Sequence, residues 1–229
     1  MRRINTIECQ SIDLHRNGVG ALEALRGIAV GTAMVATLTA CGGSSAGSAG
    51  TQAKAPISFT PDQIRTALVS KAGAPKGWQG SGPRVDLDNG MRTCAEDTES
   101  SCGGFVAVGW SDVKPDKDPA YKAWSPEVKF RIYSFRSPDD AKAAMKGLAA
   151  EERRSAGANG VETKPLQTSV GADETDAFTG QRTRIMMRVG GLLVLVASQD
   201  LREEQPYGDL AKLQIDRIKK TSEGKNPDA

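Results

Sequence analysis

The stretch "RTRIMMRVGGLLVLVAS", residues 182–198, restricts the fold more than any other part of the chain. Two adjacent glycines between runs of aliphatic residues predict a two-residue hairpin turn, whose positive φ angles glycine supplies without steric cost. Such a turn leaves one register. Val189 then faces Leu192, Arg188 faces Leu193, Met187 faces Val194, Met186 faces Leu195, Ile185 faces Val196 and Arg184 faces Ala197. One face of this hairpin is wholly apolar and must be core. The other mixes Arg182, Arg184, Met186 and Arg188 with Leu193, Leu195 and Ala197.

That mixed face supports two readings. In the plainer one, a loop or terminal segment partly covers it, and arginine stems lie over the leucines while their guanidiniums reach water. In the sharper one it floors a cleft, with Arg184 and Arg188 binding an anion above Leu193 and Leu195. An anionic amphiphile, such as a lipid or an envelope glycopolymer fragment, suits that chemistry. Gly103-Gly104 and Gly180 would give the cleft movable rims.

Capping patterns and periodicity place the other elements. Thr60-Pro61-Asp62-Gln63 reads as a capping box with proline at the first helical position, followed by Ile64, Ala67 and Leu68 on one face and a stop near Gly73. Ser137-Pro138-Asp139-Asp140 opens a second helix with the stripe Ala141, Ala144, Met145 and Leu148. A third, near 208–220, turns Leu210, Ala211, Ile215 and Ile218 inward and ends in Arg217, Lys219 and Lys220. Residues 127–135 alternate as a half-buried strand, residues 105–113 read as another, and Asn89-Gly90 reads as a tight turn. The fold class expected is α+β, an antiparallel sheet with helices packed on one face.

The amino-terminal region is organised differently. Residues 27–40, "GIAVGTAMVATLTA", carry no charge and follow Arg2, Arg3, Arg16 and Arg26, the pattern of a signal peptide and too short for a spanning helix, which needs about 20 residues. Leu38-Thr39-Ala40-Cys41 resembles a bacterial lipobox, which implies a diacylglyceryl group on the Cys41 thiol, cleavage before it and further acylation, as by palmitate. Two or more acyl chains hold a membrane where one is marginal. The expected organisation is a signal peptide over 1–40, a lipidated flexible tether over 41–58, an extracytoplasmic domain over 59–222 and a disordered tail over 223–229. The tether's Gly, Ser and Ala content gives fifteen residues, 42–56, a reach of about 20 Å.

Composition then excludes much chemistry. His15, the only histidine, leaves with the signal. The mature chain therefore has no Ser-His or Cys-His pair and no histidine zinc site. Cleavage removes four arginines and three acids, so the remainder is nearly neutral and unsuited to nucleic acid. Cys94 and Cys102 are an even pair in an oxidising compartment and read as a disulfide stapling an acidic surface loop. In "VDLDNGMRTCAE" Val85 and Leu87 occupy the first two ligand positions of a calcium loop, which rules calcium out. "GADETDAF" reads as a solvated acidic turn. No metal, cofactor or catalytic residue is expected.

The order of a strand, "SFRSPDDAKAAM", "VGADETDAF", an arginine-rich strand, a glycine turn, "LLVLVA" and "AKLQIDRI" resembles exported actinobacterial lipoproteins related to PknH-like extracellular sensor domains, over about residues 60–220. A PsbP-like lipoprotein domain is the neighbouring alternative. The resemblance implies a non-catalytic α+β domain with an antiparallel sheet and a groove. The expected function is a lipid-anchored sensor or ligand-binding domain on the extracytoplasmic face of the cell membrane. The rival expectation is an interaction protein docked on another envelope protein, with Trp78, Trp110 and Trp124 as possible anchors; an envelope enzyme ranks below both.

Overall fold

The computed structural model describes residues 56–116, 127–157, 160–199 and 207–229. Cys41, the signal peptide, the tether as far as residue 55, and Trp124 lie outside them. Among the described residues eight strands form one antiparallel sheet: β1 (Trp78–Gly80), β2 (Arg84–Asp86), β3 (Phe105–Pro115), β4 (Glu127–Phe135), β5 (Lys164–Pro165), β6 (Glu174–Thr179), β7 (Arg184–Val189) and β8 (Leu192–Gln199). Their order is β1-β3-β4-β8-β7-β6-β5, and β2 also pairs with β3. The β7–β8 hairpin has the register that its glycine turn requires, from Val189 opposite Leu192 to Arg184 opposite Ala197. Of the two turn residues Gly190 alone has a positive φ, 58°.

The helices are α1 (Pro61–Ala67), α2 (Gly90–Thr98), α3 (Pro138–Gly157) and α4 (Tyr207–Ser222). They cover both faces of the sheet rather than the one expected. α1 and α4 bury Ile64, Leu68, Leu210, Ile215 and Ile218 against Val128, Phe130, Ile132, Ile185, Val194 and Val196. On the opposite face α2 and α3 bury Cys94, Ala141, Met145 and Leu148 against Tyr133, Phe135, Met186, Leu193 and Leu195. The reason lies in β4 and β8. Their side chains alternate between two apolar sets, so leaving either face to solvent would forfeit roughly 1.5–3 kcal/mol for each large side chain exposed.

The expected helix starts are present. Thr60 Oγ1 accepts from the Gln63 amide at 3.3 Å, and Gln63 Oε1 accepts from the Thr60 amide at 2.9 Å. Ser137 Oγ accepts from the Asp140 amide at 3.1 Å at the start of α3. Helix α2 is the element that the sequence did not announce. Asn89-Gly90 begins a helix instead of a tight turn, because Asp86 holds the preceding loop: its Oδ1 accepts from the amides of Asn89 (2.8 Å) and Asp88 (3.1 Å), and its Oδ2 accepts from the Thr93 hydroxyl at 3.3 Å. Cys94 and Cys102 are disulfide-bonded and buried. The bond therefore ties α2 to the start of β3 inside the core and does not staple a surface loop.

Helix α1 ends at Ala67, short of Gly73, and α4 supplies what its last carbonyls lack. Arg217 is almost wholly buried; its Nε donates to Ala67 O at 3.1 Å and its Nη2 to Thr66 O and Leu68 O at 3.1 and 2.7 Å. A cation at a helix carboxyl end also opposes the local negative potential. The tail over 223–229, expected to be disordered, folds back onto this arginine: Asp228 accepts from Arg217 Nη1 at 2.5 Å and from the Ser70 hydroxyl at 2.8 Å. A buried cation needs a counter-charge, and the last residues provide it.

Arg217→Met should leave three carbonyls without this donor and lower stability by about 3 kcal/mol, read from urea unfolding. Burial pushes the Asp228 carboxyl up, but hydrogen bonds from Arg217 and Ser70 and the Arg217 charge outweigh it and hold the carboxyl below its ordinary value. The stability that Asp228 contributes is therefore full above its unfolded value and lost as pH falls through its lower folded value. The gap in stability between the native chain and Asp228→Asn should close as pH drops below about 4.

Candidate functional site

The arginine-bearing face of the β7–β8 hairpin does not form an open cleft. Helix α3 lies across it, and its small residues Ala141 and Ala144 let the helix settle closely on Leu193 and Leu195, both of which are core. Arg184 is buried beneath the same helix. Its Nε donates to Glu152 Oε2 at 2.5 Å, and its Nη1 donates to the carbonyls of Thr183 (3.1 Å) and Ser198 (3.0 Å). Arg188 is spent on the acidic turn: it pairs with Asp173 at 3.2 Å and Glu174 at 3.3 Å and donates to Gly190 O. The four residues expected to hold a ligand are therefore structural. The "GADETDAF" segment keeps Asp173 and Glu174 exposed, as a solvated acidic turn should, and also supplies the counter-charge to arginines of β7 and α3.

One of the proposed rims, at Gly104, is closely packed. A Cβ on Gly104, whose φ is +64°, would lie 2.2 Å from Asp140 Oδ2, so this glycine admits the start of α3 against the loop. Trp78 packs partly buried against the core of the α1 and α4 face, and Trp110 is half-buried. Neither stands out as a free anchor.

A groove does exist, one step outward from the expected position. It has a volume of about 570 Å³ and runs between the outer side of α3 and β6. Met145 and Ala149 form its floor, Lys142, Lys146 and Arg153 line the helix wall, and Glu174 and Asp176 line the strand wall. Arg153 bridges the two walls by a double hydrogen bond to Asp176 and lies 4.9 Å over the Phe178 ring. Glu174 is engaged by Arg188. Lys142 and Lys146, one turn apart, are exposed and make no ion pair with any described residue. The volume falls in the usual range for small-molecule sites.

The sequence held a signal for this groove. Lys142 and Lys146 stand at i and i+4 beside the alanine-rich stripe of α3, a cationic row flanking a close-packed face. What the sequence lacked was the position of β6 beside that row.

A second charged cluster lies under α2. Tyr133 donates to Asp97 Oδ2 at 2.7 Å, Arg131 pairs with the same carboxylate and donates to the Tyr133 oxygen at 3.1 Å. Burial pushes the Tyr133 hydroxyl well above its ordinary range. A neutral donor between a carboxylate and a guanidinium is a strut holding α2 on the sheet.

Arg184→Glu would set two carboxylates together beneath α3. The variant should lose at least about 3 kcal/mol of stability, as expected when one member of a buried pair is removed, whereas Arg182→Glu on the same face should cost under about 1 kcal/mol. Thermal unfolding of the two variants separates a structural arginine from a surface one.

No protein-family model matches the chain, and no curated protein matches it. Among solved structures it is similar to the extracellular domain of PknH from Mycobacterium tuberculosis, over 72% of this chain and 98% of that one, at 13% sequence identity and a TM-score of 0.46.

Proposed function

We propose that this protein is a lipid-anchored, extracytoplasmic, non-catalytic binding or sensor-like domain whose ligand site is the groove between α3 and β6. The observation that carries the ligand site is the pair Lys142 and Lys146, unpaired cations beside an apolar floor of Met145 and Ala149. An anionic group on the lysines with an apolar tail over the floor satisfies both parts of the site, which makes an anionic amphiphile the ligand class. Two features support the location. The uncharged segment 27–40 runs into Leu38-Thr39-Ala40-Cys41, and the buried Cys94–Cys102 bond belongs to an oxidising compartment.

Native and intact-mass spectrometry of the protein, gently extracted from its own membranes, tests both halves. The expected result is a chain beginning at diacylated Cys41 that retains a small amphiphile. Lys142→Glu with Lys146→Glu should lose that amphiphile at least tenfold while keeping the native unfolding midpoint. A co-extracted protein in one-to-one ratio, with no small molecule, would favour docking onto an envelope partner. A mature chain without lipid would overturn the anchor.

A further inference from the structure

We infer that the end of the domain at which the chain enters is a membrane-docking face, on which Leu87, Met91 and Val106 dip into the extracytoplasmic leaflet. The inference rests on the lipid anchor proposed above and adds an orientation to it. The chain meets the fold at Ile57, whose carbonyl accepts from the Gly191 amide at 2.7 Å, and the Phe59 amide donates to Ser134 Oγ at 2.8 Å. This contact is as close as backbone allows: a Cβ on Gly190 would lie 2.7 Å from the Ile57 nitrogen. Ser134, Phe135 and Leu192 mark that end of the sheet, and Phe105 pairs with Phe135 there.

The exposed large apolar side chains of the described residues are Leu87 (69%), Met91 (51%) and Val106 (37%). All three belong to the same end. Val106 follows Phe105. Asp86 pairs with Val108, so Leu87 continues β2 toward residues 106–107. Met91 lies in the first turn of α2, where a Cβ on Gly90 would touch the Phe105 ring at 3.1 Å. Single exposed apolar residues are ordinary, but here the exposed ones gather at one end of the sheet.

The occupant follows from the length of chain outside the fold. Fifteen residues, 42–56, separate Cys41 from Ile57, and a chain of that length and composition has a typical end-to-end distance of about 20 Å, which favours this end of the domain over the opposite one at the bilayer. At the effective concentration a short tether imposes, a patch too weak to bind membrane alone engages it. Charge near the patch is mixed, with Arg92, Arg136 and Lys142 beside Asp88 and Asp139, so apolar insertion carries the contact and added salt leaves it largely intact. The groove begins at this end too, at Asp139 and Glu174, and docking brings its mouth to the headgroups.

Collisional quenching by headgroup nitroxide lipid tests the face. The full lipidated chain, in vesicles of phosphatidylethanolamine and phosphatidylglycerol, carries one bimane label, either at Met91→Cys or at Lys129→Cys, about 20 Å along β4 from Phe135. The label at 91 should be quenched several-fold more than the label at 129. That difference should persist in 0.5 M salt, within a factor of about two, because the screened term is the small one. Leu87→Ser with Val106→Ser should reduce quenching at 91 several-fold while the chain stays on the vesicles. Equal quenching at the two positions, with the chain still vesicle-bound, would overturn the docking face and leave the anchor standing. A chain that does not stay with the vesicles would overturn the anchor and the docking face together.

Discussion

The fold depends on the burial of β4 and β8 from both sides. Val128, Phe130 and Ile132 point to one layer of helices, Tyr133 and Phe135 to the other, and β8 alternates in the same way from Leu192 to Ala197. A strand of this kind demands two covers. α1 and α4 form one, α2 and α3 the other, and each cover is locked by a polar device at its margin. Arg217 joins α4 to the end of α1, and Asp97 with Arg131 and Tyr133 joins α2 to the sheet.

The same demand explains why so many charges in this chain face inward. Arg184 and Arg217 each satisfy backbone carbonyls as well as a carboxylate, so their burial exchanges water for several directed hydrogen bonds. Their partners differ in reach: Glu152 comes from a helix 32 positions before Arg184, whereas Asp228 follows Arg217 by 11. Nearer the surface, the acidic run 173–176 pairs with Arg188 and Arg153. Once these pairs are formed, Lys142 and Lys146 stand out as cations beside an apolar surface with no partner of their own. The candidate site is the place where two such cations lie beside an apolar floor.

Much of the local structure was legible. The glycine turn set the β7–β8 register, and the capping residues Thr60 and Ser137 set two helix starts, because each depends on residues within a few positions of one another. The stripe of α3 was legible as apolar, and so was the mixed face of the hairpin. What could not be read was that the first is the cover of the second. That juxtaposition joins residues 141–148 to residues 186–195 and turns an expected arginine cleft into a core with an internal ion pair. Helix α2 escaped for a related reason: its start is organised by the side chain of Asp86 and its position by a disulfide, and neither shows as apolar periodicity.

Sequence alone determined the starts of α1 and α3, the strands β3, β4, β7 and β8, the hairpin register and the disulfide pair. These follow from short-range steric and compositional rules that hold wherever a segment is placed. Tertiary structure decided which face each helix covers, which arginines are consumed by structural pairs, and where the free lysines lie. Those outcomes depend on distances between segments remote along the chain, and packing the two faces of one sheet is what sets such distances.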